Sequence, residues 1–97
     1  MDPLGNSVYL PEEDFLPPPE CRKEDLPDYL QKVIAKPAIL IEIESEKKMF
    51  YFRSVDWYTT LLLTTELKQN RWEVIDCRAN PNSEELSALL KKGRQRI

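Results

Sequence analysis

The chain has 97 residues, which is enough for one small domain, because single hydrophobic cores typically serve chains of roughly 100 to 150 residues. It is 41% hydrophobic and 32% charged with a formal net charge of −3, a globular mix that excludes fibrous and fully disordered proteins. No apolar run approaches the roughly 20 residues that cross a bilayer and no signal-peptide pattern is present, so we expect a cytoplasmic protein without membrane contact.

The first 24 residues are predicted to be an extended, acidic, proline-rich arm, with a single domain over residues 25–97. Five of the eight prolines lie in the first twenty residues, and proline fixes φ and removes a backbone donor. The arm also carries apolar side chains that should dock either on the domain itself or on another molecule. These candidate partner-binding residues are Tyr9, Leu10, Phe15 and Leu16.

Residues 25–36 predict a helix, because their apolar side chains recur at helical spacing. Asp25 is the candidate N-cap, and Pro27 and Asp28 suit the first turn. Pro37 should end the helix, because the residue before a proline is pushed out of the α region.

The apolar period changes to two in the next segment, which predicts a half-buried strand. The residues expected on its core face are Ile39, Ile41 and Ile43. Glu42 and Glu44 should face solvent. A polar run then leads into the strand formers at positions 49–52, so the two runs should pair as an antiparallel hairpin.

Residues 55–69 predict a helix that is capped by Ser54 or Asp56 and carries Tyr58 and Leu62 on its apolar stripe. A strand is the alternative interpretation, because the Thr and Leu residues of this segment also alternate. The length of about fourteen residues favours the helix.

The last third of the chain predicts a strand over residues 71–78 and then a helix. Asn82 and Glu85 have the spacing of a capping box, and Gly93 is expected to end this helix in the left-handed conformation. The predicted fold class is therefore α+β. We expect a small three-stranded, mostly antiparallel sheet, made of the hairpin and one further strand and packed by about three helices.

The composition argues against catalysis. The chain has no histidine, which removes the commonest general base and the commonest zinc ligand, and its two glycines cannot form a phosphate-binding loop. Cys21 and Cys77 are too few and too far apart for a disulfide framework or a zinc site. We therefore expect an intracellular protein that is not an enzyme and has no cofactor and no metal.

Two charged segments indicate possible partners, namely the acidic arm and a basic C-terminus. The main hypothesis is a non-catalytic protein-protein interaction module, such as an adaptor, regulator or inhibitor, that binds a protein through the arm or the hairpin edge. The alternative is a nucleic-acid-associated accessory protein that uses Lys91, Lys92, Arg94 and Arg96. A homodimer through a sheet edge is a further expectation.

Overall fold

The computed structural model describes residues 1–10 and 18–97. Within these residues the chain forms six strands and two α-helices around a single sheet. The strands are β1 (Val8–Tyr9), β2 (Ile39–Ile43), β3 (Lys48–Ser54), β4 (Thr60–Lys68), β5 (Arg71–Ala79) and β6 (Arg94–Gln95). The helices are α1 (Leu26–Ala35) and α2 (Ser83–Lys92), and a 3₁₀ turn at Glu44–Glu46 joins β2 to β3.

The strand order in the sheet is β1-β5-β4-β3-β2-β6. Strands β2 to β5 form an antiparallel meander, β6 adds to β2 in antiparallel orientation, and β1 adds to β5 in parallel orientation. The predicted three-stranded sheet with about three helices is therefore wrong, although the fold remains α+β. The difference comes from one misassigned helix and from two short strands at the ends of the chain.

The predicted helix over residues 55–69 is instead strand β4, in the centre of the sheet. It pairs with β3 on one side and with β5 on the other. Leu61 and Leu63 are buried on one face of the sheet and Leu62 is buried on the opposite face. An apolar run that is buried on both faces has no period of two, so it resembles a buried helix segment when it is read along the chain.

Both ends of the chain join the sheet. Val8 and Tyr9 pair with Trp72 and Glu73, so the first part of the predicted arm adds a strand beside β5. At the other edge, β6 pairs with Ile41 and Glu42 of β2. Strands of two residues are too short to show any periodicity, which is why their sequences do not indicate them.

The main hydrophobic core lies between α1 and one face of the sheet. Its most deeply buried members are Val33 of α1 and Leu40, Tyr51, Leu61 and Leu63 of the strands. Burying a side chain of this size contributes roughly 1.5 to 3 kcal/mol to the free energy of folding. The packing of its apolar side chains is therefore the main interaction that stabilises α1.

The helix predicted over residues 25–36 is confirmed as α1. Asp25 does occupy its N-cap position, but the Asp25 side chain makes no capping hydrogen bond. The side chains that face the core are Leu26, Leu30, Val33 and Ile34.

The opposite face of the sheet is covered by α2 and by the residues that follow it. Ile41 and Ile43 are buried there, whereas Leu40 between them belongs to the main core. The predicted hairpin is confirmed, and Ile41 and Ile43 are buried as expected, but the prediction of a half-buried strand is wrong, because Leu40 on the other face is buried as well. Both faces of β2 are buried because helices cover the sheet from both sides.

The predicted N-cap of the last helix is confirmed, because the Asn82 side chain accepts a 2.8 Å hydrogen bond from the backbone N–H of Glu85. The full capping box is not formed, since the Glu85 carboxylate pairs instead with an arginine of β5. The predicted left-handed end is wrong, since Gly93 has φ −110° and ψ −179°, which is extended backbone. A Cβ atom on Gly93 would lie 2.5 Å from Ile41 Cγ2 and 2.9 Å from the carbonyl oxygen of Glu42. Glycine is therefore required here for close approach to β2.

Candidate functional site

The turn between β3 and β4 presents two neighbouring aromatic side chains to solvent. Trp57 is 96% exposed and Tyr58 is 89% exposed, while Val55 and Thr59 on either side of them are buried. Large aromatic side chains are usually at least half covered in a folded domain, because they gain the most from leaving water. We call the segment 54–60 the aromatic turn.

Hydrogen bonds hold the backbone of the aromatic turn. The N–H of Val55 donates to the carbonyl oxygen of Thr59 at 2.9 Å, and the hydroxyls of Ser54 and Thr60 lie 2.9 Å apart. These contacts close the turn at its base. The two aromatic side chains therefore project from an ordered backbone.

The carboxylate of Asp56 ties the aromatic turn to α1. One oxygen accepts a 2.8 Å hydrogen bond from the backbone N–H of Tyr58, and the other accepts a 3.1 Å hydrogen bond from the hydroxyl of Tyr29. The Tyr58 amide is the main cause that lowers the pKa of Asp56, and the bond to Asp56 is the main cause that raises the pKa of Tyr29. Both shifts follow from hydrogen bonding to the ionised carboxylate.

The surface on the α1 side of the turn is acidic. Cys21 lies under this surface, and its pKa is raised first by burial and then by the charges of Glu20, Asp56 and Asp25. The charges of these three carboxylates all act on the one thiol. Arg53, the basic residue on β3 before the turn, donates from Nη1 to the carbonyl oxygen of Lys36 at 2.6 Å, at the far end of α1.

The predicted arm residues are not brought to this turn. Tyr9 is 46% exposed, and the guanidinium of Arg71 lies 4.1 Å from the centre of its ring. Leu10 is 37% exposed beside α1. Phe15 and Leu16 lie outside the described residues.

The basic C-terminal residues are partly neutralised by acids of the hairpin. Lys92 forms an ion pair with Glu46, and Arg96 forms one with Glu42. Lys91 and Arg94 are exposed and form no ion pair within the described ranges. Two of the four basic residues that the nucleic-acid interpretation requires are therefore already paired with acids of the fold.

A cavity of about 340 Å³ lies between α2 and the sheet. Its apolar lining includes Phe50, Leu62 and Leu89, and an ion pair between Arg78 and Glu85 borders it. Within the described residues, every buried side-chain polar atom has a hydrogen-bond partner. The described lining of this cavity therefore holds no buried polar side-chain atom that lacks a partner.

The two cysteines, Cys21 and Cys77, are unpaired and buried. Burial is the main cause that raises the pKa of Cys77 to about 12. A thiol with a raised pKa carries little thiolate at neutral pH and is a poor nucleophile. Across residues 1–10 and 18–97, no group of three Cys, Asp or Glu side chains is arranged to bind a metal ion.

No helix in the described part of the chain has the length and apolar character needed to cross a membrane. Comparison with protein-family models, with curated proteins and with solved structures gave no match. Function has to be inferred from the surface itself, because a fold class alone supports many functions.

Sequence reasoning missed Trp57 and Tyr58 as a candidate site. When residues 55–69 are read as a helix, Tyr58 belongs to a buried stripe and Trp57 has no special place. The signal that could have identified them is Asp56 between two strand-like runs, because Asp often caps a turn by accepting a bond from the backbone two residues later.

Proposed function

We propose that this chain is a non-catalytic protein-interaction module and that its partner binds the aromatic turn. The observation that carries the proposal is the exposure of two adjacent aromatic side chains, 96% for Trp57 and 89% for Tyr58, on a hydrogen-bonded turn. Tyrosine and tryptophan are the residue types that most often dominate the binding energy of protein interfaces.

The fixed backbone supports this assignment. Binding costs conformational entropy, and a side chain on a preformed turn loses less of it than a side chain on a flexible loop. Asp56 supplies that order through its bonds to Tyr58 and Tyr29. Each ring that a partner covers would remove on the order of 150 to 250 Å² from water, enough for a hot spot of about 2 to 4 kcal/mol.

A non-catalytic role agrees with the chemistry that the residues provide. The chain has no histidine, and the thiols of Cys21 and Cys77 are buried with raised pKa values. Asp56 precedes the aromatic pair in the chain, and both of its carboxylate oxygens accept hydrogen bonds that shape the turn. These groups support structure and do not form a nucleophile–base pair.

The proposal is tested with the full chain carrying a photo-crosslinking residue at position 57 or at position 97, expressed in cells of its source. Ile97 is the control position because it is also apolar and exposed, at 42%. It follows β6 and is not part of the aromatic turn. We expect a discrete crosslinked partner from position 57 only. The crosslinked product should disappear when the chain without the crosslinking residue is added in excess, because it competes for the same binding site.

Three variants then separate the candidate surfaces in a pull-down of that partner. Trp57→Ala combined with Tyr58→Ala should abolish capture, whereas Tyr9→Ala combined with Leu10→Ala and Ile97→Ala alone should retain it. Thermal melts of each variant control for folding. Retained capture by the Trp57 and Tyr58 variant would contradict the proposal, and loss in the Tyr9 and Leu10 variant alone would return the function to the arm.

A further inference from the structure

The charges beside the aromatic turn indicate what kind of partner fits it. Segment 20–29 contributes Tyr29, which bonds to the turn, and it carries four carboxylates and two basic residues. Asp56 adds a fifth carboxylate. The aromatic pair therefore lies at the border of a surface with net negative charge.

We infer that the partner segment that binds the aromatic turn is basic, with a Lys or Arg side chain packed on the indole of Trp57. This inference rests on the proposed function, because it identifies the partner of the same surface. An exposed tryptophan face is the strongest aromatic site for a cation, and carboxylates beside it add attraction for the same charge.

The geometry of the turn favours a cation over a purely apolar partner. Asp25 is the N-cap of α1, and its backbone carbonyl accepts a 3.1 Å hydrogen bond from the N–H of Tyr29. The hydroxyl of Tyr29 in turn donates to Asp56. The acidic start of α1 is thus joined to the turn through one side chain. Arg53 is directed to the opposite end of α1 by its bond to the Lys36 carbonyl.

The acidic surface beside the aromatic turn is a poor match for an apolar partner. Two depressions of the described surface lie under α2 and beside Leu10, and neither is lined by residues of the aromatic turn. A Lys or Arg side chain needs no groove. Its apolar stem can lie along a flat ring while its charged end stays near the carboxylates.

The inference is tested by NMR titration of the full chain with a synthetic decapeptide of alternating Gly, Lys and Arg. An acidic decapeptide in which Glu replaces the basic residues is the matched control. The chain has two tryptophans, so the indole signal of Trp72 serves as an internal reference. We expect the basic peptide to shift the Trp57 indole signal selectively and the acidic peptide to leave it in place.

Variants distinguish a cation on the ring from simple charge attraction. Trp57→Phe keeps an aromatic face and should retain most of the affinity, whereas Trp57→Leu should weaken binding roughly three- to thirtyfold. Neutralising the acidic start of α1 with Glu24→Gln, Asp25→Asn and Asp28→Asn should also weaken binding. It should reduce the dependence of the affinity on salt concentration as well.

Three results would overturn the inference: no shift of the Trp57 signal at millimolar basic peptide, equal binding of the acidic peptide, or equal affinity of the Trp57→Leu variant. Concentration-dependent self-association through the turn, measured by sedimentation, would also overturn it, because the occupant would be a second copy. If the crosslinked partner depends on Trp57 while the basic peptide fails, the proposed function stands and only this inference falls.

Discussion

The hydroxyl of Tyr51 donates a 2.6 Å hydrogen bond to a carboxylate oxygen of Asp2, 49 positions earlier in the chain. Asp2 is only 4% exposed, and its other oxygen accepts hydrogen bonds from the backbone N–H groups of Leu4 and Asn6. Burial is the main cause that raises the pKa of Tyr51, and the bond to Asp2 adds to it. This contact anchors the N-terminal turn to the main core.

Removal of the Asp2 carboxylate should destabilise the fold. Asp2→Ala leaves the buried hydroxyl of Tyr51 without its strongest acceptor, at a cost of about 1 to 3 kcal/mol in the free energy of unfolding. Urea unfolding measures this cost. Combining Asp2→Ala with Tyr51→Phe should recover part of the loss, and additive effects of the two changes would mean that the residues are not coupled.

The buried thiol of Cys77 should make stability fall at alkaline pH. Its pKa is about 12 in the folded chain against an ordinary value of 9.0, so the unfolded state loses its proton first. This contribution is fully present below pH 9 and declines between pH 9 and about 12, by up to about 1.4 kcal/mol per pH unit.

Cys77→Val isolates this effect. Urea unfolding of both proteins at pH 8 and at pH 11 should show the wild type losing more stability than the variant, because all other groups titrate alike. Parallel losses in the two proteins would show that the thiol is not protected from ionisation in the fold.

Gly93→Ala should destabilise the contact between β2 and the segment after α2. The added methyl group would overlap Ile41 Cγ2 at 2.5 Å, and a backbone shift of this kind costs about 1 to 3 kcal/mol. Ser87→Ala on the exposed side of α2 is the control and should change stability by less than about 0.5 kcal/mol. A change at position 93 as small as the control would contradict the close approach.

Both faces of β2 should matter equally for stability. Leu40 lies in the main core and Ile41 lies under the C-terminal segment, and both are fully buried. Each substitution by Ala should therefore cost about 2 to 5 kcal/mol in chemical denaturation. A small loss at only one of the two positions would show that the corresponding face is loosely covered.

Asp56→Ala should make the backbone of the aromatic turn more mobile, although Trp57 and Tyr58 are both kept. The variant loses the acceptor for the Tyr58 amide and for the Tyr29 hydroxyl. The backbone order parameter of Trp57, measured by ¹⁵N relaxation, should fall from about 0.85 toward 0.6. Asp56→Asn keeps an acceptor oxygen and should retain more order, and an unchanged value in both variants would mean that Asp56 does not hold the turn.

Local signals were enough to predict several elements correctly. The Asn82 cap marks the start of α2, helical spacing marks α1, and alternation marks the β2–β3 hairpin. Each of these signals depends on residues a few positions apart, which hydrogen-bond or share a face whatever the rest of the chain does. The α+β class follows from the same local patterns.

Long-range contacts account for the features that the sequence did not indicate. Residues 60–68 become a strand because β3 and β5 flank them, and the chain ends become strands because open sheet edges are available to them. The same pairing decides the candidate site. Trp57 and Tyr58 lie in the turn between β3 and β4, and Asp56 marks that turn only once the segments on both sides of it are recognised as strands.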